Sequence, residues 1–101
     1  MLIRYSSAAR EDLRRLHRYL VSEFGQRTAD LSVQRIVRDI SILKQQVNLL
    51  RPLADKIHRA TDYQYCLCGR YSIVILLKSS KNLSVVRILD GRTDYVTEIF
   101  G

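Results

Sequence analysis

The strongest constraint on the fold of this chain is a change of hydrophobic period at Pro52. Before it, apolar residues recur every three or four positions; after it, β-branched and aromatic residues run in short blocks. Ala9, Leu13, Leu16, Leu20 and Phe24 predict an amphipathic helix from about residue 8 to 24. Ser6-Ser7 offers an N-cap, and Glu11 and Asp12 suit the positive end of the helix dipole, although Arg10 occupies the position where a capping box would need Glu or Gln. Gly25 ends this helix. Ala29, Val33, Ile36, Ile40, Leu43, Val47 and Leu50 then predict a second helix from about 27 to 50, folded back on the first. Its stripe reads as a core face rather than a coiled-coil seam, since the chain offers no other helix to cover a sheet.

Residues 51–62 show no period and read as a connecting loop. Tyr63 to Cys68 and Tyr71 to Lys78 read as strands joined by Gly69-Arg70, a two-residue loop with glycine first that predicts a type II′ hairpin. That loop pairs Cys68 with Tyr71, Cys66 with Ile73 and Tyr65 with Val74. Both faces of the hairpin are largely apolar, so it is expected at the centre of a sheet covered at least in part on both sides. After a turn at Ser79-Ser80-Lys81-Asn82, Leu83 to Leu89 forms a third strand. Asp90-Gly91-Arg92 breaks it, and Tyr95 to Phe100 adds a short apolar element. With a first strand over residues 2–6, the order is β-α-α-β-β-β. This is an α+β class, with a helical hairpin packed on one face of a mainly antiparallel sheet.

The length, 101 residues, suits one domain spanning 1–101, and 47% hydrophobic residues suffice for a core. No apolar run approaches the roughly 18 residues of a membrane helix. The start lacks the basic-then-apolar order of a signal peptide, so a cytoplasmic location is expected. Net charge is +7, which favours acidic partners: nucleic acid, an acidic protein, or a protein that handles nucleic acid. Cys66 and Cys68 share a strand face, a poor arrangement for a disulfide. Only His17 and His58 remain as further nitrogen ligands, so reduced, buried, metal-free thiols are expected.

Three segments, in this order and spacing, resemble the RelE/ParE toxins over essentially the whole chain. Ser6-Ser7-Ala8-Ala9-Arg10-Glu11-Asp12-Leu13 looks like that family's Ser-Pro-x-Ala-x-x-Asp-Leu entry into the first helix. Gly69-Arg70-Tyr71-Ser72-Ile73-Val74 is similar to its Gly-x-Tyr-Arg-Ile stretch. Arg87-Ile88-Leu89-Asp90-Gly91-Arg92-Thr93-Asp94 is similar to its Val-Leu-His-x-Arg-x-Asp signature. The resemblance implies the toxin of a type II toxin–antitoxin pair, with an acidic ParD-like antitoxin as partner and no cofactor.

The departures bear on mechanism. Ser72 stands where the family has an arginine, Gln64 matches an arginine common in the preceding strand, and Asp90 replaces the histidine of the last motif. A RelE-like ribosome-dependent RNase needs a base, an acid and cations around the phosphate. Here only Lys56, His58 and Arg59 offer such a set. ParE-like inhibition of DNA gyrase needs only a shaped surface of cations and aromatics, so the resemblance favours a non-catalytic toxin with Arg59, Arg70, Arg87 and Arg92 as candidate target-binding residues. The alternatives are the RelE-like RNase and a non-toxic member that only binds its antitoxin. Direct nucleic-acid binding also remains open. For Arg92, pairing with Asp90 or Asp94 to hold the last turn stands equally beside target contact.

Overall fold

A computed structural model describes residues 1–101. The chain opens with β1 (Leu2–Tyr5) and enters α1 (Ser7–Phe24). Ser6 is the N-cap: its Oγ accepts from Ala9 N at 3.0 Å and donates to the Val86 carbonyl at 2.7 Å. One hydroxyl therefore both closes the helix end and ties it to a strand eighty residues away. Gly25, at φ 94, stops α1 and starts α2 (Gln26–Ile42). His17 Nε2 lies 2.8 Å from Asp30 Oδ1 and pins the helical hairpin near its turn.

The second helix ends at Ile42 rather than near residue 50. The chain continues through a turn and a single 3-10 turn at Val47–Leu49. Leu50 is nonetheless buried and Val47 packs on the same core. Helical spacing carried the right side chains inward after the backbone had left the helix. Residues 51–62 are more than a loop: β2 (Arg51–Pro52) is followed by α3 (Leu53–Ile57), whose Leu53 is fully buried.

The sheet contains β3 (Gln64–Cys68), β4 (Ser72–Lys78) and β5 (Asn82–Asp90), and α4 (Tyr95–Phe100) completes the chain. Strand order is β1-β5-β4-β3-β2, with β1 parallel to β5 and every other pair antiparallel. The hairpin register differs by one residue from the type II′ expectation. Cys68 pairs with Ser72, Cys66 with Val74 and Tyr65 with Ile75, so the loop holds three residues, Gly69-Arg70-Tyr71. Cys68, Val74, Leu76, Val85 and Ile88 consequently face the helical hairpin, with Ile36, Ile40 and Leu43 over them. Ile73 and Ile75 face the other way, onto Leu53, Tyr63, Tyr95 and Phe100. Short helices therefore cover the second face, which the sequence left without a helix. In β5 the register shifts between Leu76↔Val85 and Ile75↔Arg87, leaving Val86 without a β4 partner. This bulge sets Val85 and Ile88 on one face and turns Arg87 toward the strand edge that β1 no longer occupies. No helix is long and apolar enough to cross a membrane.

Candidate functional site

Gly69 sits at φ 61, where a side chain is strained, and a Cβ there would lie 2.8 Å from Ile36 Cγ1. Only glycine lets the β3–β4 tip approach α2 this closely. The Gly69 N–H donates to Asp39 Oδ2 of α2 at 2.8 Å. On the other side, Gly91 N–H donates to the Tyr71 carbonyl at 2.8 Å. The turn after β5 is held by Asp90, whose carboxylate accepts from Arg92 N, Nε and Nη2 at 2.9, 3.0 and 2.8 Å. The Arg92 guanidinium holds the Asp90 carboxyl below its usual range. The same guanidinium lies 4.0 Å from the centre of the Tyr71 ring, and Arg70 lies 5.8 Å from it.

A groove of about 960 Å³ runs between the helical hairpin and this tip. Its walls include Arg15, Tyr19, Phe24 and Arg35 from the helices and Arg70, Tyr71 and Arg92 from the turns. Tyr19, Phe24 and Tyr71 are all more than half exposed. Two carboxylates reach the groove, and both are paired. Asp90 is held by Arg92. Asp12 accepts from Arg87 Nε at 2.8 Å, Arg87 Nη2 at 3.0 Å and Ile88 N at 2.9 Å.

The four arginines expected to converge do so only in part. Arg70 and Arg92 meet at Tyr71. Arg59 stacks 4.3 Å from the Phe100 ring, at the α4 side of the sheet. The Arg87 side chain is only 19% exposed and bridges α1 to α4 through Asp12 and the Glu98 carbonyl, in a structural position. Asp12 itself faces inward rather than toward the helix dipole. Its place on the stripe between Ala9 and Leu16 was the available signal. Tyr71, expected inside the sheet, stands on the tip.

Lys56, His58 and Arg59 are exposed on and just after α3 and are engaged separately. Lys56 Nζ lies 5.3 Å over the Tyr65 ring, Arg59 stacks on Phe100, and His58 ends α3 in the left-handed conformation at φ 55. Ser72 is buried in the groove wall. Gln64 is half-buried, and its Oε1 finds no hydrogen-bond partner. Cys66 and Cys68 are free thiols on the helix-facing side of β3, Cys66 half-buried and Cys68 buried. Cys66 Sγ donates to the Leu67 carbonyl at 3.7 Å; the neighbouring Cys68 thiol lowers the Cys66 thiol to about 7, and Cys66, with burial, raises that of Cys68.

A helical hairpin on a five-stranded, mainly antiparallel sheet, with the sheet's central turn projecting beside a basic groove, places the chain in the RelE/ParE fold class. A solved structure described as the chromosomal ParDE TA system from P. aeruginosa shares the fold at a TM-score of 0.76, with 22% identity over 89% of this chain and 95% of that one. The family model described as the ParE toxin of the type II toxin–antitoxin system, parDE, matches residues 3–95, and the chain belongs to that family. A comparison with curated proteins finds no significant match.

Proposed function

We propose that this chain is the toxic component of a type II pair, that it inhibits DNA gyrase by binding it in the cytoplasm, and that a cognate ParD-like antitoxin neutralises it. The observation that carries this reading is the arrangement of charge at the groove. Exposed guanidiniums and aromatics form its surface, while its two carboxylates are locked in ion pairs. Such a surface is built to bind. The groups an RNase would recruit are dispersed. Lys56 and Arg59 rest on two different rings, and Asp90 is held in the ionised form, unfit as an acid at neutral pH. The +7 net charge matches an acidic antitoxin segment that orders on contact.

Two assays on purified toxin decide the target: gyrase supercoiling and translation-coupled mRNA cleavage. The expected result is inhibited supercoiling without RNA cleavage, with SOS induction and filamentation in cells. Cleavage of mRNA at the ribosome with gyrase untouched would overturn the proposal and make Lys56, His58 and Arg59 the residues to replace. Expression without any growth defect would reduce the chain to an antitoxin-binding protein.

A further inference from the structure

We propose that Tyr71 and Arg70, at the β3–β4 turn, form the anchor by which this chain grips a protein surface carrying a carboxylate beside an apolar recess; the identity of that protein as gyrase rests on the function proposed above.

The turn is a ridge. Arg70, Tyr71 and Ser72 line the large groove on the helical side and also a recess of about 240 Å³ on the opposite side, where Lys56, Leu67 and Tyr95 stand. Tyr71 is 51% exposed at its crest and Leu67, beside it, is 67% exposed. A partner closing over this ridge meets mixed apolar and basic surface on both flanks.

The ridge is also rigid. Asp39 holds the Gly69 N–H from α2, Gly91 holds the Tyr71 carbonyl, and the clamped Arg92 guanidinium stacks on the ring. An exposed aromatic fixed from three directions loses little freedom on binding, which is what makes tyrosine and arginine dominant in the centres of protein interfaces.

The crest of the ridge favours a protein as partner. Arg92 spends Nε and Nη2 on Asp90, and its guanidinium already covers a face of Tyr71. Single-stranded nucleic acid stacks its bases on open ring faces, and at the crest of the ridge Arg92 already occupies one. Arg70 is exposed and forms no ion pair, which gives the ridge itself one free cation; Arg15 and Arg35, also exposed and outside any ion pair, stand across the groove on the helices. One planar cation beside one anchored ring matches a single carboxylate at the edge of an apolar recess. Arg92 accordingly positions Tyr71, while Arg70 and Tyr71 make the contact.

The test compares wild type with Arg70→Glu, Arg70→Lys and Tyr71→Ala. Three readouts are taken: growth arrest on induction, inhibition of supercoiling by purified protein, and binding of short labelled single-stranded and duplex DNA. Arg70→Glu and Tyr71→Ala should each raise the toxin concentration for half-inhibition by about tenfold or more, with Arg70→Lys milder. Arg70 is exposed, so its variants should melt within a few degrees of wild type and guard against misfolding of Tyr71→Ala. If both variants inhibit gyrase as wild type does, the anchor is wrong and the gyrase reading survives. If wild type arrests growth without affecting gyrase and both variants relieve the arrest, the gyrase reading falls and the anchor stands. DNA binding by wild type that the variants lose would overturn the protein partner. A wild type that arrests nothing removes both.

Discussion

Replacing Arg87 with alanine should act on stability before it acts on any target. Asp12 is 6% exposed and receives three hydrogen bonds, two of them from Arg87. Without them a buried carboxylate keeps one donor, the Ile88 N–H. Breaking a buried pair from one side costs about 3–5 kcal/mol. The Arg87 side chain is 19% exposed, so water can enter the gap it leaves, and the expected cost falls at the lower end, about 3 kcal/mol. A domain of this length holds roughly 5–15 kcal/mol in all. Since 1 kcal/mol moves the melting temperature of such a domain by about 4–8 °C, Arg87→Ala should melt about 12–24 °C lower. The assay is thermal and urea unfolding of wild type, Arg87→Ala, Asp12→Ala and the double variant. The two single losses should exceed the double loss by about 1–3 kcal/mol, because they remove one interaction. An Arg87→Ala protein melting within about 4 °C of wild type, or strictly additive single effects, would refute the reasoning and return Arg87 to the candidate contact residues.

Ser6→Ala removes both the α1 cap and the bond to Val86, and should cost about 1–2 kcal/mol in urea unfolding; a loss of only a few tenths would mean that water replaces the hydroxyl. Gly69→Ala must adopt a positive φ and displace Ile36, and should cost about 2 kcal/mol or more; an unchanged denaturation midpoint would contradict the close packing of the tip on α2. With its thiol lowered to about 7, Cys66 should be alkylated by iodoacetamide with a rate that rises as pH climbs through that value, while buried Cys68 reacts far more slowly. Cys68→Ala should move the Cys66 midpoint up toward the ordinary value of about 8.5; a wild-type midpoint already there would remove the influence of the Cys68 thiol.

The helical hairpin was legible because Ala9, Leu13 and Leu16 on one helix and Ala29, Ile36 and Ile40 on the other repeat at a period that only a helix brings to one side. The hairpin register was not. A one-residue slip exchanges Ser72, Val74 and Leu76 for Tyr71, Ile73 and Ile75 on the helix-facing side, and both sets are largely apolar, so burial could not choose between them. Packing chooses. The register adopted puts the small Ser72 under the helices, where it is buried, and leaves the bulky Tyr71 on the turn, half exposed. The helix at Leu53–Ile57 is one turn long, shorter than any window in which a period can be recognised. At the site, Arg70 and Arg92 were legible as cations on turns. Their meeting at Tyr71 depended on the register, and the withdrawal of Arg87 depended on the bulge at Val86, which no residue pattern announces.

The parallel pairing of β1 with β5 has a consequence for the order in which the molecule can assemble. The opening strand finds its only neighbour at residues 82–85, and Ser6 reaches Val86 across eighty positions. A ribosome delivers residues in sequence, so both helices emerge with their apolar stripes uncovered long before the strands they cover have been made. Closing loops of that span is slow, and the pairing cannot begin until most of the chain is available. The ridge at Tyr71 waits longer still, because its last restraints come from Gly91 and Arg92. For most of its synthesis the nascent chain therefore lacks the shaped surface, which arises in one late step once residue 92 is free to turn back.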